Sequence, residues 1–456
     1  MNKVKSLLKF LCPSVVGITF LFAAVYVFNL HASYDNEDPV GDTLHNEGAR
    51  ILTPSPGEFP IIAVVVFNNQ TGPKKDVIKG VSECGFNLSM QITNADYTRS
   101  MLDCIEDIDL KFIPGDLSLV SSDSDTHWKE EMQGFVSQFK DNPKIAGWSL
   151  YDEPKWDKLR ELKRRYDMLR EVDDSHFVSI NFVGELEKSF TGPCETMPAY
   201  LDSIQDIFGS SLSVWSSDCY PLWIRKGQLE VRYKVFFDNL EAYSSKSKAT
   251  GVPMWTYCQS MHCDISGHHI LPEATEPYLS FSAFSALAYG SQGIAYWTYS
   301  MRPSYPNETY ISALVDMDGN KMPAWYAAQN VNRQIRALTP VFLGATMVEV
   351  RHSGNISLDN VKPFISDFGP IERLTNGEKG VLVSHLTNGG NDYLVIVNHD
   401  VQKKQGVRIK FRSDVTDISE IKVSSSGTLD KKNVKEIHKL NLSPGGYAVY
   451  QWNANK

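Results

Sequence analysis

Short apolar runs, rich in β-branched and aromatic residues, recur along residues 59–299 and alternate with segments of helical periodicity. Their starts lie 25–41 residues apart, which is the length of one strand followed by one helix. Eight such units predict an α/β fold of the (β/α)8 TIM-barrel type. A doubly wound open sheet is the alternative, but no G-x-G-x-x-G follows the first run. The predicted strands are Phe59–Phe67, Gly85–Ile92, Leu110–Gly115, Ile145–Tyr151, Phe177–Phe182, Leu212–Asp218, Pro253–Cys258 and Gly293–Tyr299.

The pattern changes after Pro340, where helical segments stop and short strand-like runs follow one another across turn residues. This texture predicts a C-terminal antiparallel β-sandwich. We therefore expect a barrel domain over residues 57–340 and a sandwich domain over residues 341–456. The predicted helices include Trp128–Lys140, Lys155–Val172, Pro277–Tyr289 and Pro323–Leu338, and the predicted sandwich strands are Thr346–Val350, Gly380–Leu386, Asp392–Asn398, Gly406–Phe411 and Gly446–Trp452.

The N-terminal segment has the pattern of a targeting signal. Lys3, Lys5 and Lys9 precede the apolar stretch Phe10–Leu30, and small residues follow. This order predicts a secretory signal over residues 1–33, or a membrane anchor if the segment is not cleaved, since about 20 apolar residues can span a bilayer. Residues 34–56 are predicted to be a linker. We expect an exported protein (secreted, periplasmic or at the cell surface) that meets a membrane only through this segment.

Composition narrows the class of partner. The 456 residues are 42% hydrophobic and 22% charged, as in globular proteins, and the formal net charge is −9. An acidic chain has no bulk attraction for nucleic acid, whereas a neutral substrate remains compatible. The sequence has no Gly-rich phosphate loop and no G-x-S-x-G turn, so we predict no cofactor and no serine hydrolase.

Six cysteines follow the targeting segment, and an even number in an exported chain permits disulfides. Candidate pairs are Cys84 with Cys104, and Cys219 with Cys258 or Cys263. Buried free thiols are the alternative.

The densest chemical feature is Asp152-Glu153-Pro154 at the end of the fourth predicted strand. Barrel enzymes place catalysis at the C-terminal ends of strands. Adjacent carboxylates repel each other, so burial keeps one of them protonated. A protonated carboxyl facing an ionised one is what the cleavage of a glycosidic bond requires. The structural alternative is that either acid caps the helix that Pro154 begins.

These residues carry a family resemblance. Ile145–Pro154 (IAGWSLYDEP) resembles strand four of bacterial carbohydrate-active barrel proteins in the large retaining glycosidase clan. Ser285–Tyr299 and Leu314–Gln334 look like that clan's eighth strand and closing helix. The resemblance implies glycosidase activity and, residue by residue, the acid/base role for Glu153.

The sequence departs from the clan at the end of strand seven, where the clan has a nucleophilic glutamate and this chain has Gln259. A neutral amide cannot attack as a carboxylate does. Three interpretations remain open. Asp218 on strand six is the second carboxylate, with inversion if a water fits between the pair. A 2-acetamido group of the substrate attacks, oriented by Asp152. Or the barrel binds glycan without cleaving it.

Other side chains near strand ends complete the predicted site. Rings there can stack on sugar faces, although packing in the barrel core is their alternative role. His262, Asp264, His268 and His269 lack a metal-site spacing, so no metal is predicted. The residues predicted to bind substrate are Trp148, Asn181, Tyr220, Trp255, Gln259, Trp297 and Tyr299.

Together these features predict an exported glycoside hydrolase that acts on an oligosaccharide or polysaccharide. Glu153 is the predicted general acid, Asp218 the second carboxylate and Asp152 a supporting group. A carbohydrate-binding protein without turnover is the alternative from another class.

Overall fold

The eight predicted strands close into a parallel barrel in which the first strand pairs with both the second and the last. The structure, a computed structural model, describes residues 55–67, 72–115, 125–266, 269–356, 358 and 360–453. Strands are labelled in chain order through the whole protein. The barrel strands are β1 Ile61–Val64, β2 Leu88–Ile92, β3 Lys111–Gly115, β4 Gly147–Asp152, β5 Phe177–Val183, β6 Trp215–Asp218, β9 Met254–Gln259 and β12 Gly293–Trp297.

Side-chain alternation divides each strand between the barrel interior and the surrounding helices. On β9, Met254 and Cys258 belong to the apolar core shared with the outer helices. Trp255, Tyr257 and Gln259 therefore face the inside of the barrel. The same rule brings alternate residues of neighbouring strands together at the C-terminal rim, where polar side chains collect.

Helices form the outer layer, and their starts follow from sequence. The Asn94 side chain accepts a hydrogen bond from the Tyr97 amide and so caps α2. Pro323 occupies the first position of α9, where a missing N–H costs nothing. The helices are α1 Lys75–Glu83, α2 Ala95–Ile105, α3 Asp125–Phe139, α4 Leu159–Val172, α5 Lys188–Thr191, α6 Met197–Phe208, α7 Tyr233–Thr250, α8 Glu276–Ala288, α9 Pro323–Ala337 and α10 Thr339–Phe342.

A second sheet, here called the rim sheet, is built from loops at the C-terminal end of the barrel. Its strands follow β6, β9 and β12, and all their pairings are antiparallel. The sequence analysis predicted none of these strands. The rim-sheet strands, in spatial order, are β13 Glu308–Ser312, β10 His262–Ile265, β11 His269–Leu271, β7 Leu222–Arg225 and β8 Gln228–Val231.

The C-terminal residues form two antiparallel sheets, which confirms the predicted sandwich. All five predicted strands are present, and four more (β15, β19, β20 and β21) were not predicted. The larger sheet has the order β14-β16-β17-β22-β19-β20 and the smaller one β15-β18-β21. The strands are β14 Thr346–His352, β15 Ile371–Thr375, β16 Val381–Asn388, β17 Asn391–Asn398, β18 Gln405–Phe411, β19 Ser419–Val423, β20 Leu429–Asn433, β21 Ile437–Leu442 and β22 Tyr447–Trp452.

The larger sheet is buried on both faces, which joins the sandwich to the barrel. On β17, Leu394 and Ile396 enter the core between the two sheets. Tyr393, Val395 and Val397 point the other way and join the core shared with the barrel helices. Barrel and sandwich thus pack within one compact unit.

A chain of buried hydrogen bonds crosses this junction. The Lys379 carbonyl can only accept, so His399 donates to it from Nδ1 at 3.0 Å. His399 Nε2 is then free to accept from His352 Nδ1 at 3.1 Å. The Tyr289 hydroxyl donates to His352 Nε2 at 2.9 Å. The network is satisfied only while both imidazoles are neutral.

The six cysteines outside the targeting segment are free thiols, so neither proposed disulfide forms. Cys84 is buried at the end of α1 and donates to the Trp325 carbonyl, while Cys104 lies half-buried on α2. Within the described residues, no helix combines the length and apolar content needed to cross a bilayer. The predicted targeting segment 1–33 and nearly all of the linker lie outside those residues.

The histidine chain predicts a pH-dependent junction. Burial lowers the pKa of His399 to about 4, and burial and His399 lower that of His352 well below its ordinary value. The unfolded chain therefore binds more protons than the folded one between about pH 4 and 6.5, and stability falls as pH falls through that window.

Replacing both residues (His352→Gln with His399→Gln) removes this proton uptake. The Tm difference between variant and wild type should therefore become more positive as pH drops from 7 to 5. Thermal melts at matched ionic strength measure it, and a difference that does not vary with pH would contradict the assignment.

Candidate active site

The end of β4 is irregular in a way that turns two adjacent acids toward the barrel mouth. Its pairing with β5 shifts register between Ser149 and Tyr151. Glu153 then adopts a left-handed backbone with φ of 47°, and its N–H donates to the Asn181 carbonyl at 2.8 Å. This region is uncommon for residues other than glycine, and such outliers cluster at functional sites.

Neither acid caps a helix. The next helical turn is a 3-10 segment, Trp156–Lys158, whose N-cap position is Lys155 and which has no side-chain cap. The N-cap of α4 is Lys158, also without a side-chain bond. The alternative role of Asp152 or Glu153 as the cap of a helix is therefore wrong.

The side-chain amide of Asn181 on β5 forms hydrogen bonds to two carboxylates. Its Nδ2 donates to Asp152 Oδ1 at 3.0 Å and to Asp218 Oδ1 at 3.2 Å. The Ser216 hydroxyl donates to Asn181 Oδ1 at 3.1 Å, which fixes the orientation of the amide. The predicted second carboxylate thus lies beside the strand-four acids.

A close backbone approach supports this arrangement. A Cβ placed on Gly184, directly after β5, would lie 1.8 Å from the Asp218 carbonyl oxygen. Only glycine lets the end of β5 pass so close to the end of β6. The position of Asp218 relative to Asn181 therefore depends on Gly184.

The carboxyl groups have raised pKa values. Burial is the main cause for Asp218, whose pKa rises to about 7, with Asp152 adding repulsion and the Asn181 hydrogen bond opposing it. Burial raises the pKa of Glu153 well above its ordinary value, and the charges of Asp218 and Asp152 raise it further. Burial also raises the pKa of Asp152, against the Asn181 hydrogen bond and the charge of Arg302.

Glu153 is the group best suited to keep the proton. Its Oε2 is buried and has no hydrogen-bond partner among the described residues, so an ionised oxygen there would be unsolvated. Asp218, by contrast, receives the Asn181 amide. The environment therefore separates the two groups into an acid and a base, the arrangement that acid–base catalysis uses.

Three further predicted residues lie at the same rim. Tyr220 is close enough to Asp218 and Asp152 for their charges to raise its pKa, after burial. Gln259 and Trp297 end neighbouring barrel strands and are paired in register. The structure thus brings together the three acids, Asn181, Tyr220, Gln259 and Trp297.

Three other predicted residues are not at the rim, which corrects their expected place. Trp148 faces the helices and donates from Nε1 to Asp173 at 2.8 Å. Tyr299 follows the end of β12 and accepts from Trp325 Nε1 in the helix layer. Trp255 lies near the start of β9 inside the barrel, against Phe177 at the start of β5.

Two site residues were missed. Tyr257 shares the inward face of β9 with Gln259, and burial followed by the charges of Asp152 and Asp218 raises its pKa, so period-two alternation was a usable signal. Arg302 lies beyond β12 and stacks on Trp297 with its guanidinium carbon 5.3 Å from the ring centroid. No sequence pattern marks Arg302, because it lies in a loop, where neither the helical nor the strand period applies.

An ion pair borders the site on the β5 side. Arg232 donates to both carboxylate oxygens of Glu185, at 2.5 and 2.7 Å, and lies 4.2 Å above the Trp223 ring. It neutralises a fourth carboxylate whose charge reaches Glu153 and Asp218. Of the candidate metal ligands, His262 and Asp264 lie on β10 and His269 on β11, whereas His268 is outside the described residues.

No protein-family model matches the sequence, and no curated protein matches it significantly. Among solved structures, a β-galactosidase from Bacillus circulans sp. alkalophilus is similar at 8% identity and TM-score 0.58, covering 87% of this chain and 99% of that one. A glycoside hydrolase family 5 protein from Bacteroides vulgatus is similar at 12% identity and TM-score 0.52, covering 87% and 89%.

A β-galactosidase from Marinomonas ef1 matches at 11% identity and TM-score 0.45 over 61% of this chain and 60% of its own. This chain therefore spans less than two thirds of that protein. The likenesses to the first two structures show a shared fold.

The raised pKa of Asp218 predicts that the site lowers stability. The folded state holds a proton on Asp218 between about pH 4 and 7 that the unfolded chain has released, so the cost of ionisation grows as pH rises through this window. Asp218→Asn keeps the oxygen that accepts from Asn181 and removes the charge. The Tm difference between this variant and wild type should become more positive from pH 4 to 7 and then level off. Thermal melts across this range test it, and a flat difference would show that Asp218 ionises freely.

Proposed function

We propose that this protein is a glycoside hydrolase that cleaves O-glycosidic bonds in an oligosaccharide or polysaccharide. The observation that carries the proposal is a group of three carboxyls at the C-terminal rim of a closed barrel, Asp218 buried and Asp152 and Glu153 half-buried, all with raised pKa values. Such rims hold the active sites of barrel enzymes. Two structural neighbours, a β-galactosidase and a family 5 glycoside hydrolase, support the same reaction class.

The chemistry follows from the separated acid and base. Glu153 donates its proton to the glycosidic oxygen as the bond from that oxygen to the anomeric carbon breaks. Asp218, ionised, takes a proton from the water that attacks the anomeric carbon on the other face. Glu153 ends as carboxylate and Asp218 as acid, and solvent returns the protons to their starting places. Asp152 supports the pair through the amide of Asn181, which binds both Asp152 and Asp218.

Gln259 favours water as the attacking group. It ends β9 beside β6, and its amide is not a nucleophile for this reaction. With Asp218 acting on water, the product has the inverted anomeric configuration. The acetamido-assisted route, with Asp152 orienting the substrate's own group, gives retention and is limited to 2-acetamido sugars.

A glycan-binding protein without turnover is the second candidate function. The neutral Gln259 at the rim is the observation that favours it. In that case Glu153→Gln leaves the glycan affinity nearly unchanged, because glutamine still offers polar contacts to hydroxyl groups.

Export remains our proposal for the location, on the basis of Lys3, Lys5, Lys9 and the apolar stretch Phe10–Leu30.

Glu153→Gln should reduce turnover by about 10²–10⁴-fold, because general acid catalysis contributes that much and glutamine cannot protonate the leaving oxygen. The loss should be largest for glycosides with alkyl or sugar leaving groups and smallest for 2,4-dinitrophenyl glycosides, whose leaving group needs no proton. Hydrolysis of a panel of both kinds measures it, with β-galactosides included.

Glu420→Gln is the matched control, since Glu420 is a buried glutamate on β19 in the sandwich. It should leave turnover unchanged. Equal activity of Glu153→Gln and wild type on an alkyl glycoside would remove Glu153 from the mechanism. Glycan binding without product from any glycoside would favour the second candidate function.

The stereochemical course separates the two hydrolytic routes. With Asp218 as base, ¹H-NMR of a fresh reaction should show the inverted anomer first, before mutarotation. Asp218→Asn should then lose most of the activity on sugars with a plain 2-hydroxyl. A retained product formed only from 2-acetamido glycosides would contradict the role of Asp218 and support the assisted route.

A further inference from the structure

Gln259 has an unmet hydrogen-bonding need inside the candidate site. Its side chain is 4% exposed, and Oε1 is buried without a hydrogen-bond partner among the described residues. A buried amide oxygen without a hydrogen bond destabilises the protein, because it has lost its water without gaining a partner. Exchange of the amide oxygen and nitrogen would only put an unmet donor in the same place. One end of the amide therefore needs a partner that the described residues do not supply.

The alternation of side chains along β9 places the Gln259 amide inside the barrel mouth, where we propose that the substrate binds. Gln259 and Tyr257 lie on the inward face of β9, and Tyr257 pairs in register with Asp218 on β6. Trp297 pairs in register with Gln259 on the other side. The amide thus lies at the rim between the strand that carries the proposed base and the strand that ends in an aromatic ring.

The three neighbouring carboxyl groups explain why a neutral side chain occupies position 259. Asp152, Glu153 and Asp218 already repel one another, and a further carboxylate would raise their pKa values more. Glutamine adds a donor and an acceptor without charge. A hydroxyl group also both donates and accepts, so it satisfies either end of the amide.

We infer that Gln259 is a specificity-determining residue whose side-chain amide binds one hydroxyl of the sugar unit at the cleavage point. The inference rests on the proposed function and adds a recognised group to it. A sugar that lacks this hydroxyl leaves the buried amide unpaired again, and enzymes reject analogues that leave buried polar groups unpaired. The role is binding and positioning, separate from the proton transfers of Glu153 and Asp218.

Gln292 supplies a matched control. It is a buried glutamine just before β12, at the opposite end of the barrel strand, with 8% exposure. Its Oε1 accepts from the Gly344 amide at 2.7 Å, and its Nε2 donates to the Gly290 and Phe342 carbonyls at 3.1 Å. Gln292→Leu should lower Tm because it breaks these bonds. Gln259→Leu should keep or raise Tm because it removes an unmet polar group.

Binding is measured by calorimetry with 4-nitrophenyl β-D-galactopyranoside and its 2-, 3-, 4- and 6-deoxy analogues. The protein carries Glu153→Gln, so the ligand stays intact and hydrolysis is not needed. Adding Gln259→Leu should weaken binding of the parent glycoside about tenfold or more. One deoxy analogue should bind both proteins equally, because it lacks the hydroxyl that Gln259 contacts. Adding Gln292→Leu should leave all five affinities unchanged.

The inference is overturned if Gln259→Leu lowers Tm as much as Gln292→Leu, because the amide is then satisfied within the protein. It is equally overturned if the parent glycoside binds both proteins alike, or if all four analogues lose affinity by the same factor. Binding that follows the expected pattern while wild type releases no product would reject the proposed hydrolysis and leave the role of Gln259 in place.

Discussion

Like charges cannot all ionise at close range where water is scarce, and the rim of this barrel concentrates one buried and two half-buried carboxyl groups. The strands must hold Asp152, Glu153 and Asp218 close together, and the amide of Asn181 is the device that offsets part of their repulsion. It serves two of the three groups at once. Burial and the charges of Asp218 and Asp152 raise the pKa of Glu153, and its Oε2 receives no hydrogen bond among the described residues, so the proton stays with Glu153.

The rest of the scaffold supports this unfavourable arrangement. The shift in β4 register and the left-handed backbone at Glu153 are local irregularities that packed neighbours must hold in place. Behind them, β17 is buried on both faces and fastens the barrel helices to the sandwich. The sandwich thus contributes apolar burial on the side of the barrel wall, although none of its residues that the structure describes is among the site residues.

The sequence allowed the barrel and the meeting of the acids to be predicted, because spacing gives the strand count and parallel strands end at one rim. It did not give the direction of individual strand-end side chains. Trp148 faces outward and Tyr299 comes after its strand has ended, and both facts depend on local register. Arg302 escaped prediction because it lies in the loop after β12, among Trp297, Tyr305 and Tyr310, and no periodicity marks a loop residue.

The rim sheet joins three loops of the barrel mouth into one hydrogen-bonded unit. Backbone hydrogen bonds connect the segments after β6, β9 and β12, so β13, β10, β11, β7 and β8 cannot move independently. In many barrels each such loop can be exchanged alone to alter selectivity. Here an insertion or deletion in one loop would break its backbone hydrogen bonds to the neighbouring strands. A loop exchange would therefore have to replace the whole rim sheet. We therefore expect that proteins with this rim sheet differ from one another in its side chains and keep its backbone.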